Sequence, residues 1–389
     1  MNILFVYLTA IIPSRGGTER VTHCVASSLQ EKGHNIYYLA TDAASDDIKQ
    51  LQSSNHFFLN PELDVEGRKK IIYNLCQGLQ IDILINEWGT WDNFSIFSKN
   101  VLPGIKIITC LHYDVFGAIK SHSNGRPSNP VKRFIIDFLN RLGINLYRVK
   151  RLLEFRSRYR KMLRVSDAVV VVTPIIAKQL KRLTGIHSEK IVPILNPLPF
   201  ENIVSTYDAA SKEKMILFVG RLSQEKNVDL LLKAWAKIAS RYPEWKLEIA
   251  GSGNMLDNLL QLVVELKIPR VQFHGHVENV GALYNRAEYL VLPSKHESFS
   301  CVVLESMAYG CHPIVFDYPS APVVIPNSRL GTRIKHSTKA LAKAMSKAIQ
   351  TNTSNREHME EVAAHLATFD IEKIAPNWES LIEKLSSNK

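Results

Sequence analysis

Short apolar runs alternate along the chain with longer segments in which apolar residues recur every three or four positions. The runs are typical of buried strands in a parallel sheet, and the longer segments are typical of helices that pack on such a sheet. In the first half of the chain, strands are predicted at 2–7, 35–41, 82–88, 106–112, 168–173 and 191–195. A second alternation predicts strands at 215–222, 246–250, 271–277, 289–293 and 312–316. This pattern predicts an α/β fold with a doubly wound parallel sheet in each half.

The two alternations are separated by a segment with no periodic pattern. Asn196-Pro197-Leu198-Pro199 breaks the chain, and the residues from there to Lys214 are mostly polar, as in a linker. At 389 residues the chain is also too long for one ordinary hydrophobic core. We therefore predict an N-terminal domain over 1–197, a linker over 198–214 and a C-terminal domain over 215–375. The final stretch, 361–385, is predicted to be helical apart from a break near Pro376.

Cysteine usage and the lack of long apolar runs narrow the class of protein. The five cysteines are odd in number and scattered, with no C-x-x-C pair, which argues against a disulfide framework or a zinc site and favours a reducing cytoplasm. No run approaches the roughly 18 apolar residues that a membrane span needs. The first apolar run has no basic residues before it, so it is interpreted as a strand rather than a signal peptide.

Positive charge is concentrated in one segment. Between Lys120 and Arg164, thirteen Lys and Arg residues stand against two acidic residues, so this segment carries as much net charge as the whole chain, +11. Its apolar residues, among them Phe134, Phe138 and Leu142, recur at helical spacing between the cations. This pattern favours a helix that lies on an anionic membrane surface. The alternative is a helix that packs on the sheet with solvated cations. No nucleic-acid partner is expected, because no recognised motif for one is present.

Two predicted strand-to-helix turns contain residues suited to binding anions. The first ends in Gly16-Gly17, with Thr18 as the predicted helix N-cap. These glycines let a ligand approach backbone N–H groups, although the segment is not the G-x-G-x-x-G dinucleotide fingerprint and an ordinary turn is the alternative. The second turn contains Arg221 and Lys226. Two cations beside free helix N–H groups make a clamp for a diphosphate without any metal, and surface charge is the alternative.

A third turn places carboxylates on both sides of a strand-to-helix junction. Glu297 follows the strand at 289–293, and Glu305 falls in a helix that is predicted from Phe299 onward. An exposed helix N-terminus beside the C-terminal end of a strand is where α/β proteins bind anionic ligands. The alternative is a solvated Glu in the turn and an unrelated surface Glu in the helix.

Polar residues also end two predicted strands of the first half. Asn86 and Glu87 end one strand, and His112 ends another, followed by Tyr113 and Asp114. The carboxyl ends of parallel strands form the ligand edge of an open α/β sheet. A lone histidine at a strand end is more often structural, and it is the location of His112 that favours a functional interpretation.

With these motifs together, the chain resembles the retaining glycosyltransferases of the two-domain GT-B fold, in particular glycosyltransferase family 4. Glu297 and Glu305 fit the family's E-x7-E spacing, and Arg221 with Lys226 fits its basic pair. The other matching motifs are Gly16-Gly17, the Asn196-Pro197 hinge, Gly220, Gly251-Ser252-Gly253 and Gly275-His276-Val277. The resemblance covers nearly the whole chain and is densest from Met215 to Asp317.

The resemblance implies two facing Rossmann-like domains with an interdomain cleft, in which the C-terminal domain binds a nucleotide-sugar donor. Arg221 and Lys226 are then expected to neutralise the departing diphosphate, so that neither a metal nor a cofactor is expected. Glu297 is expected to orient the hydroxyls of the donor sugar, Glu305 to accept from the ribose hydroxyls, and His112 to lie near the sugar. The other donor-binding residues implied are Gly16, Gly17, Gly220, Gly251, Gly253, His276, Val277, Phe299 and Ser300. The final helix, 376–389, is expected to cross back onto the N-terminal domain.

The sequence departs from the family pattern at the opening of the E-x7-E stretch. Many members have glycine after the first glutamate and again after the aromatic residue, whereas this chain has Ser298 and Ser300. The identity of the donor sugar is therefore left open. The residues after His112, Tyr113 and Asp114, also make its role less directly transferable than that of Arg221.

The expected activity is retaining transfer of a hexose or N-acetylhexosamine from a UDP-sugar to a glycan or lipid-linked acceptor in surface polysaccharide or lipopolysaccharide synthesis. The expected location is the cytoplasm, at the inner face of the cytoplasmic membrane through residues 120–164. One alternative is a nucleotide-sugar epimerase or phosphorylase on the same fold. Another is a non-catalytic subunit, which would be expected to lack the donor-binding residues that this chain has.

Overall fold

The computed structural model of the chain describes residues 1–13, 15–42, 51, 55–87, 96–121, 146–198, 211–351 and 358–387. The chain divides into two compact units. Unit 1 comprises Met1–Pro197 and Ile371–Lys389, and unit 2 comprises Leu198–Asp370. Most of the predicted linker, 198–214, lies outside the described residues.

Unit 1 is built on a seven-stranded sheet in which every pairing is parallel, in the order β3-β2-β1-β4-β5-β6-β7. Its strands are β1 (Asn2–Tyr7), β2 (Asn35–Ala40), β3 (His56–Phe58), β4 (Ile83–Asn86), β5 (Lys106–Leu111), β6 (Ala168–Val171) and β7 (Ile191–Pro193). Its helices before the linker are α1 (Gly17–Glu31), α2 (Val65–Gly78), α3 (Val115–Ser121), α4 (Leu146–Val165) and α5 (Pro174–Thr184).

Unit 2 is built on a six-stranded parallel sheet in the order β10-β9-β8-β11-β12-β13. Its strands are β8 (Glu213–Val219), β9 (Lys246–Ala250), β10 (Val271–Gly275), β11 (Ala287–Leu292), β12 (His312–Phe316) and β13 (Thr332–Ile334). Its helices are α6 (Val228–Ala236), α7 (Leu256–Glu265), α8 (Gly281–Arg286), α9 (Cys301–Ala308), α10 (Ala321–Val324), α11 (Thr338–Thr351) and α12 (Met359–Leu366).

Successive residues of β1 show why unit 1 has a core on each face of its sheet. Ile3 and Phe5 belong to one buried cluster, and Leu4 and Val6 belong to another. Side chains alternate between the faces of a strand, so a run that is apolar at every position needs helices on both sides. Helix α1 contributes to the first cluster and α2 to the second. The predicted fold class, two α/β units with parallel sheets, is confirmed.

The last helix, α13 (Ile371–Ser387), belongs to unit 1 and continues through Pro376. The prediction of a break near Pro376 is therefore wrong, and the helix begins at Ile371. Ile374, Trp378 and Ile382 are buried in the same cluster as α1. The burial of this apolar stripe stabilises the helix enough to tolerate the backbone hydrogen bond that proline removes.

Two strands were missed by the pattern of apolar residues. β3 and β13 have three residues each and lie at the edges of their sheets. A segment this short gives almost no periodic signal, because a single alternation of apolar and polar residues occurs by chance in many loops.

Candidate active site

Backbone contacts between glycine turns form the carboxyl edge of the unit 2 sheet. Gly220 follows β8 with φ of 153°, and Gly251 follows β9 with φ of 142°. A Cβ atom at Gly251 would lie 1.9 Å from the carbonyl oxygen of Gly220, and one at Gly253 would lie 2.4 Å from that of Leu222. The N–H of Leu222 donates to the oxygen of Ser252 at 2.8 Å. Gly251 and Gly253 are therefore required for packing of the turns, and the contact of all three glycines with a donor stays a prediction.

The third turn of this edge follows β10 and contains His276 and Val277. The N–H of Gly251 donates to the oxygen of Gly275 at 2.7 Å, so the turn after β9 is bonded to the end of β10. His276 is exposed and Val277 is partly buried. The predicted strand at 271–277 ends at Gly275, which places both residues in the loop.

Lys226 and Glu297, predicted to act on different parts of one ligand, contact each other. The ammonium of Lys226 donates to Oε1 of Glu297 at 2.6 Å, and the side chains are 21% and 12% exposed. Lys226 ends a short 3₁₀ turn before α6, and Glu297 lies in the turn after β11. β8 and β11 are neighbours in the sheet, so residues 71 positions apart meet at its edge. Arg221, on the same turn as Lys226, is exposed.

Asn227 fixes the turn that carries Lys226. Its backbone has φ of 52°, in the left-handed region, and its buried amide donates to the oxygen of Pro293 at 2.9 Å, at the end of β11. Asparagine tolerates this conformation better than most residues. The bond ties the Lys226 turn to the Glu297 turn, which reduces the freedom of both charged groups.

Glu225 adds a second carboxylate beside the two cations. Burial alone would raise the pKa of this carboxyl, but a hydrogen bond from Ser223 and the charges of Lys226 and Arg221 lower it. The hydroxyl of Ser223 donates at 2.6 Å. Glu225 lies between the two predicted cations, and no pattern in the sequence marks it as a member of the site.

The E-x7-E stretch has Glu297 in a turn and Glu305 in a helix, as predicted, but the helix α9 begins at Cys301 rather than Phe299. The cause is Ser300, which has φ of 68° and ψ of 65° and so cannot be part of a right-handed helix. Phe299 is 2% exposed and contacts Phe369 edge-on, with ring centroids 5.5 Å apart. The side chain of Phe299 is part of the hydrophobic core. Only the backbone of Phe299 remains a candidate for the donor contact implied by the family.

Glu305 is buried in the structure, with 1% exposure, and Tyr284 donates its hydroxyl to Oε2 of Glu305 at 3.0 Å. Tyr284 stacks on Tyr309 with ring centroids 5.7 Å apart. Burial and the negative charge of Glu305 both raise the pKa of Tyr309. Glu305 is thus hydrogen-bonded to a tyrosine that stacks on a second one, and its predicted contact with ribose stays a prediction. Tyr284 was missed because nothing in the sequence distinguishes it from an ordinary apolar position of α8.

A second polar cluster lies at the carboxyl edge of the unit 1 sheet. Nε2 of His112 lies 2.5 Å from Oε2 of Glu87, and the side chains are 13% and 3% exposed. The two residues directly follow β5 and β4, which are neighbours in the sheet. The N–H of Glu87 donates to the oxygen of Val6 at 2.9 Å, which fixes the backbone of Glu87. His112 therefore has a buried, specifically placed partner.

Cys110 is the third member of this cluster. The thiol of Cys110, a carboxylate oxygen of Glu87 and a ring nitrogen of His112 all lie within 4.8 Å of one another, close enough for one metal ion. Burial raises the pKa of the Cys110 thiol well above its ordinary value, and Glu87 raises it further. Only the thiolate is a good metal ligand, so a metal ion bound by these three groups would have to displace the thiol proton.

Gly16 and Gly17 begin helix α1 at the same edge of unit 1. Gly17 is the first residue of the helix and Gly16 is its N-cap, so the prediction of Thr18 as N-cap is wrong. A Cβ atom at Gly17 would meet nothing within 4 Å, and one at Gly16 would meet only the flexible end of Glu19. Unlike Gly251 and Gly253, these two glycines are not required by packing of the described residues around them.

Two α/β units, each built on an all-parallel sheet with polar side chains at its carboxyl edge, have the architecture of the GT-B glycosyltransferases. Solved structures of other proteins have the same fold. The Anabaena protein HepE in complex with UDP and glucose matches with a TM-score of 0.75 and 15% identity over 100% of both chains. The pneumococcal O-GlcNAc transferase GtfA in complex with UDP and GlcNAc matches with a TM-score of 0.72 and 14% identity over 99% of both chains.

Family models match adjoining parts of the sequence. Residues 15–201 match Glycosyltransferase Family 4, and residues 200–365 match Glycosyl transferases group 1. The chain belongs to this family of glycosyltransferases. A glycosyltransferase of Haemophilus influenzae is 26% identical over 95% of this chain and 97% of its own length. An N-acetylgalactosaminyltransferase of Campylobacter jejuni that acts on an undecaprenol-linked glycan is 31% identical over 51% of this chain and 56% of its own length.

Proposed function

We propose that the chain is a retaining, metal-independent glycosyltransferase that moves a hexose or N-acetylhexosamine from a nucleotide-diphosphate sugar to a glycan or lipid-linked acceptor. The observation that carries the proposal is the 2.6 Å contact between Lys226 and Glu297. It joins a cation suited to a diphosphate and a carboxylate suited to a sugar hydroxyl, with Arg221 exposed on the same turn. One nucleotide sugar contains both of the groups that these side chains would bind.

In the proposed reaction, the bond between the anomeric carbon and the diphosphate oxygen breaks, and negative charge grows on the diphosphate. Lys226 and Arg221 stabilise that charge. Electrostatic stabilisation of developing charge is usually the largest single contribution to catalysis. Glu297 binds a sugar hydroxyl and fixes the ring while it has oxocarbenium character. The acceptor hydroxyl attacks from the face that the diphosphate leaves, and its proton passes to the leaving phosphate. The anomeric configuration is thereby retained.

The comparisons support UDP as the nucleotide and a lipid-linked glycan as the acceptor. HepE and GtfA are solved in complexes that contain UDP. The Campylobacter jejuni relative extends a glycan on undecaprenol diphosphate. Surface polysaccharide or lipopolysaccharide synthesis is the process that fits these acceptors best.

A turnover assay on the full chain tests the reaction type. UDP- and GDP-linked hexoses and N-acetylhexosamines are incubated in EDTA with lipid-linked glycan acceptors, and release of nucleoside diphosphate is measured. We expect turnover without a divalent ion and, by NMR, an α-linked product from an α-linked donor. A β-linked product would refute retention, and turnover that requires added Mg²⁺ or Mn²⁺ would refute metal independence.

The same donors without an acceptor separate transfer from other chemistry on this fold. A transferase is expected to release nucleotide only slowly, by transfer of the sugar to water. Conversion to an epimerised donor would identify an epimerase instead. Rapid formation of a sugar phosphate in the presence of inorganic phosphate would identify a phosphorylase.

We further propose that helix α4 binds an anionic membrane surface at the cytoplasmic face. Arg148, Lys150, Lys161 and Arg164 are exposed along this helix. Val149 and Leu153 are 47% and 55% exposed among them, so apolar and cationic groups share one surface. The opposite face of the helix is buried. The rest of the predicted basic segment, 122–145, lies outside the described residues.

Part of the positive charge on α4 has a structural role. The guanidinium of Arg160 donates to the oxygen of Thr184 at 2.8 Å, at the C-terminal end of α5. Cations stabilise helix C-termini, so this residue is explained without a membrane. Within the described residues, no helix is both long and apolar enough to cross a bilayer.

Cosedimentation with vesicles tests the surface on α4. The full chain is expected to bind phosphatidylglycerol vesicles, to bind less as salt is raised, and to bind phosphatidylcholine vesicles weakly. Val149→Asp with Leu153→Asp is expected to weaken binding. Val264→Asp is the control, because Val264 is 75% exposed on α7 of unit 2. Equal binding to both vesicle types at all salt concentrations would refute the electrostatic contact.

A further inference from the structure

The contact between Glu87 and His112 indicates which ring nitrogen of His112 carries the proton. The carboxylate of Glu87 accepts hydrogen bonds, and its oxygen lies 2.5 Å from Nε2 of His112. A carboxylate paired with one nitrogen of a neutral imidazole favours the tautomer with the proton on that nitrogen. The other nitrogen, Nδ1, then has a lone pair and accepts hydrogen bonds.

The surroundings of Glu87 fix the carboxylate in this role. Glu87 is 4% exposed, and its backbone is bonded to Val6 of β1. The thiol of Cys110 lies within 4.8 Å of the Glu87 carboxylate, and burial together with Glu87 raises the pKa of this thiol, so it is a protonated neighbour rather than a second negative charge. A small cavity of about 10 Å³, enough for one water molecule, adjoins Glu87, Cys110 and His112. A buried carboxylate on a backbone that is hydrogen-bonded to the neighbouring strand has little freedom to leave the ring.

We propose that Glu87 is a positioning residue that holds His112 as its Nε2–H tautomer, so that Nδ1 accepts a hydrogen bond from a hydroxyl of the sugar substrate. The inference rests on the proposed function for its substrate, and on the geometry of unit 1 alone for its tautomer. In this tautomer, Nδ1 accepts a hydrogen bond that a sugar hydroxyl donates. In the opposite tautomer, Nδ1 would carry a proton and would donate to the same hydroxyl instead. Partners of this kind around functional histidines commonly change activity by about 10-fold to 100-fold when removed.

Long-range ¹H–¹⁵N correlation spectra of the histidine-labelled full chain test the tautomer directly. The His112→Gln variant identifies the signals of His112. We expect Nε2 to have the shift of a protonated nitrogen and Nδ1 that of an unprotonated one. In Glu87→Gln, whose amide can donate as well as accept, we expect the two shifts to move toward each other. An Nδ1–H tautomer or a doubly protonated ring in the parent protein, or unchanged shifts in Glu87→Gln, would overturn the inference.

Kinetics of the same variant test the substrate role. Glu87→Gln is expected to lower kcat on the order of 10-fold or more and to leave the affinity for UDP, which has no sugar substrate attached, largely unchanged, because the proposed diphosphate contacts are in unit 2. Glu379→Gln is the matched control. It changes a second Glu–His pair of unit 1, in which Glu379 lies 3.5 Å from His34, away from the sheet edge. Equal kcat in Glu87→Gln and the parent protein would refute the substrate role.

The two readouts separate failure of this inference from failure of the proposed function. A parent protein that turns over no sugar nucleotide would refute the proposed function and, with it, the substrate role of Nδ1. The NMR result does not depend on turnover, so it decides the positioning role of Glu87 in either case.

Discussion

At the carboxyl edge of unit 2, the glycine-containing turns are in close backbone contact with one another. The Lys226–Glu297 pair lies beside them and is partly exposed. At the same edge of unit 1, a glutamate, a histidine and a cysteine lie together, largely buried, and a Cβ at Gly17 of the adjoining turn would meet nothing within 4 Å. Backbone packing holds the first edge, with a Cβ at Gly251 only 1.9 Å from the Gly220 oxygen. Side-chain hydrogen bonds hold the second, with His112 2.5 Å from Glu87.

The difference corresponds to the ligand that each edge is suited to bind. A diphosphate is large and strongly charged, so it needs accessible cations on turns that do not rearrange. Lys226 and Arg221 are such cations, and the glycine contacts keep their turn rigid. A sugar hydroxyl is neutral and small, so it needs an oriented donor or acceptor more than it needs charge. A buried partner that selects one tautomer of His112 provides that orientation.

The largest expected effect is on folding, from an alanine at the glycine turns. Gly251→Ala forces a Cβ into the backbone of Gly220 at a φ that alanine does not tolerate, and we expect a loss of about 4 kcal/mol or more in the free energy of unfolding. Gly17→Ala is expected to leave stability nearly unchanged, since nothing lies within 4 Å of its Cβ position. Urea denaturation of both variants measures the difference. Similar stabilities would contradict the contrast between the two edges.

The next effect is on turnover. Lys226→Ala is expected to lower kcat about 100-fold to 1000-fold, because it removes one fixed charge from the leaving diphosphate. Lys233→Ala is the control, since Lys233 lies on α6 and pairs with Asp229 at 3.0 Å. Release of nucleoside diphosphate from the donor measures both. A variant as active as the parent protein would show that the Lys226–Glu297 pair is only structural.

Smaller changes in stability, of opposite sign, are expected when Ser298 and Ser300 are each replaced by the glycine that many family members have. Ser300 has φ of 68°, so Ser300→Gly relieves strain and is expected to stabilise the chain by roughly 0.5–1 kcal/mol. Ser298 is not among the described residues with positive φ, so Ser298→Gly is expected to destabilise by a similar amount, about 0.5–1 kcal/mol. Thermal unfolding of the two variants gives the signs. Destabilisation by both would show that the serine side chain of Ser300 contributes more than its strain costs.

The smallest effect concerns the amino edge of unit 2, where charges pair with each other. Hydrogen bonds from Arg286 and Lys246 lower the pKa of Glu213 to about 2. The pKa is below its unfolded value, so the stabilisation is present above about pH 4.3 and is lost as the pH falls toward 2. The side chain is 41% exposed, so we expect only about 0.5 kcal/mol.

Stability measured against pH tests this network. Glu213→Gln is expected to be less stable than the parent protein near neutral pH and to converge with it in acid. Glu265→Gln, at an exposed position on α7, is the control and is expected to follow the parent curve. A constant difference between Glu213→Gln and the parent protein down to pH 2 would contradict the assignment of the effect to ionised Glu213.

The fold and the edge of unit 2 were largely predictable from sequence, because their signals are local. Apolar runs predict strands, and Arg221 and Lys226 fall within one turn. Short edge strands such as β3 were not predictable, because three residues show no period. Pro376 predicted a break that tertiary burial of α13 overrides.

Contacts between side chains on separate elements were the part of the site that could not be predicted from the sequence. Glu87 and His112 were both placed at the ligand edge, but their pairing depends on β4 and β5 being neighbours in register. Tyr284 and Glu305 lie 21 positions apart, and no spacing rule links a residue of α8 to one of α9. The left-handed backbone at Ser300 was also hidden, because serine gives no sign of a conformation that glycine usually adopts.

The most direct measurement is isothermal titration of UDP and GDP into the full chain in EDTA. If Arg221 and Lys226 form the diphosphate site, the parent protein and Lys233→Ala bind a nucleotide equally well without metal. The double variant Arg221→Ala with Lys226→Ala is predicted to bind about 100-fold more weakly, equivalent to about 2.7 kcal/mol. Equal affinity of the double variant, or binding that appears only after Mg²⁺ is added, would contradict the proposed site.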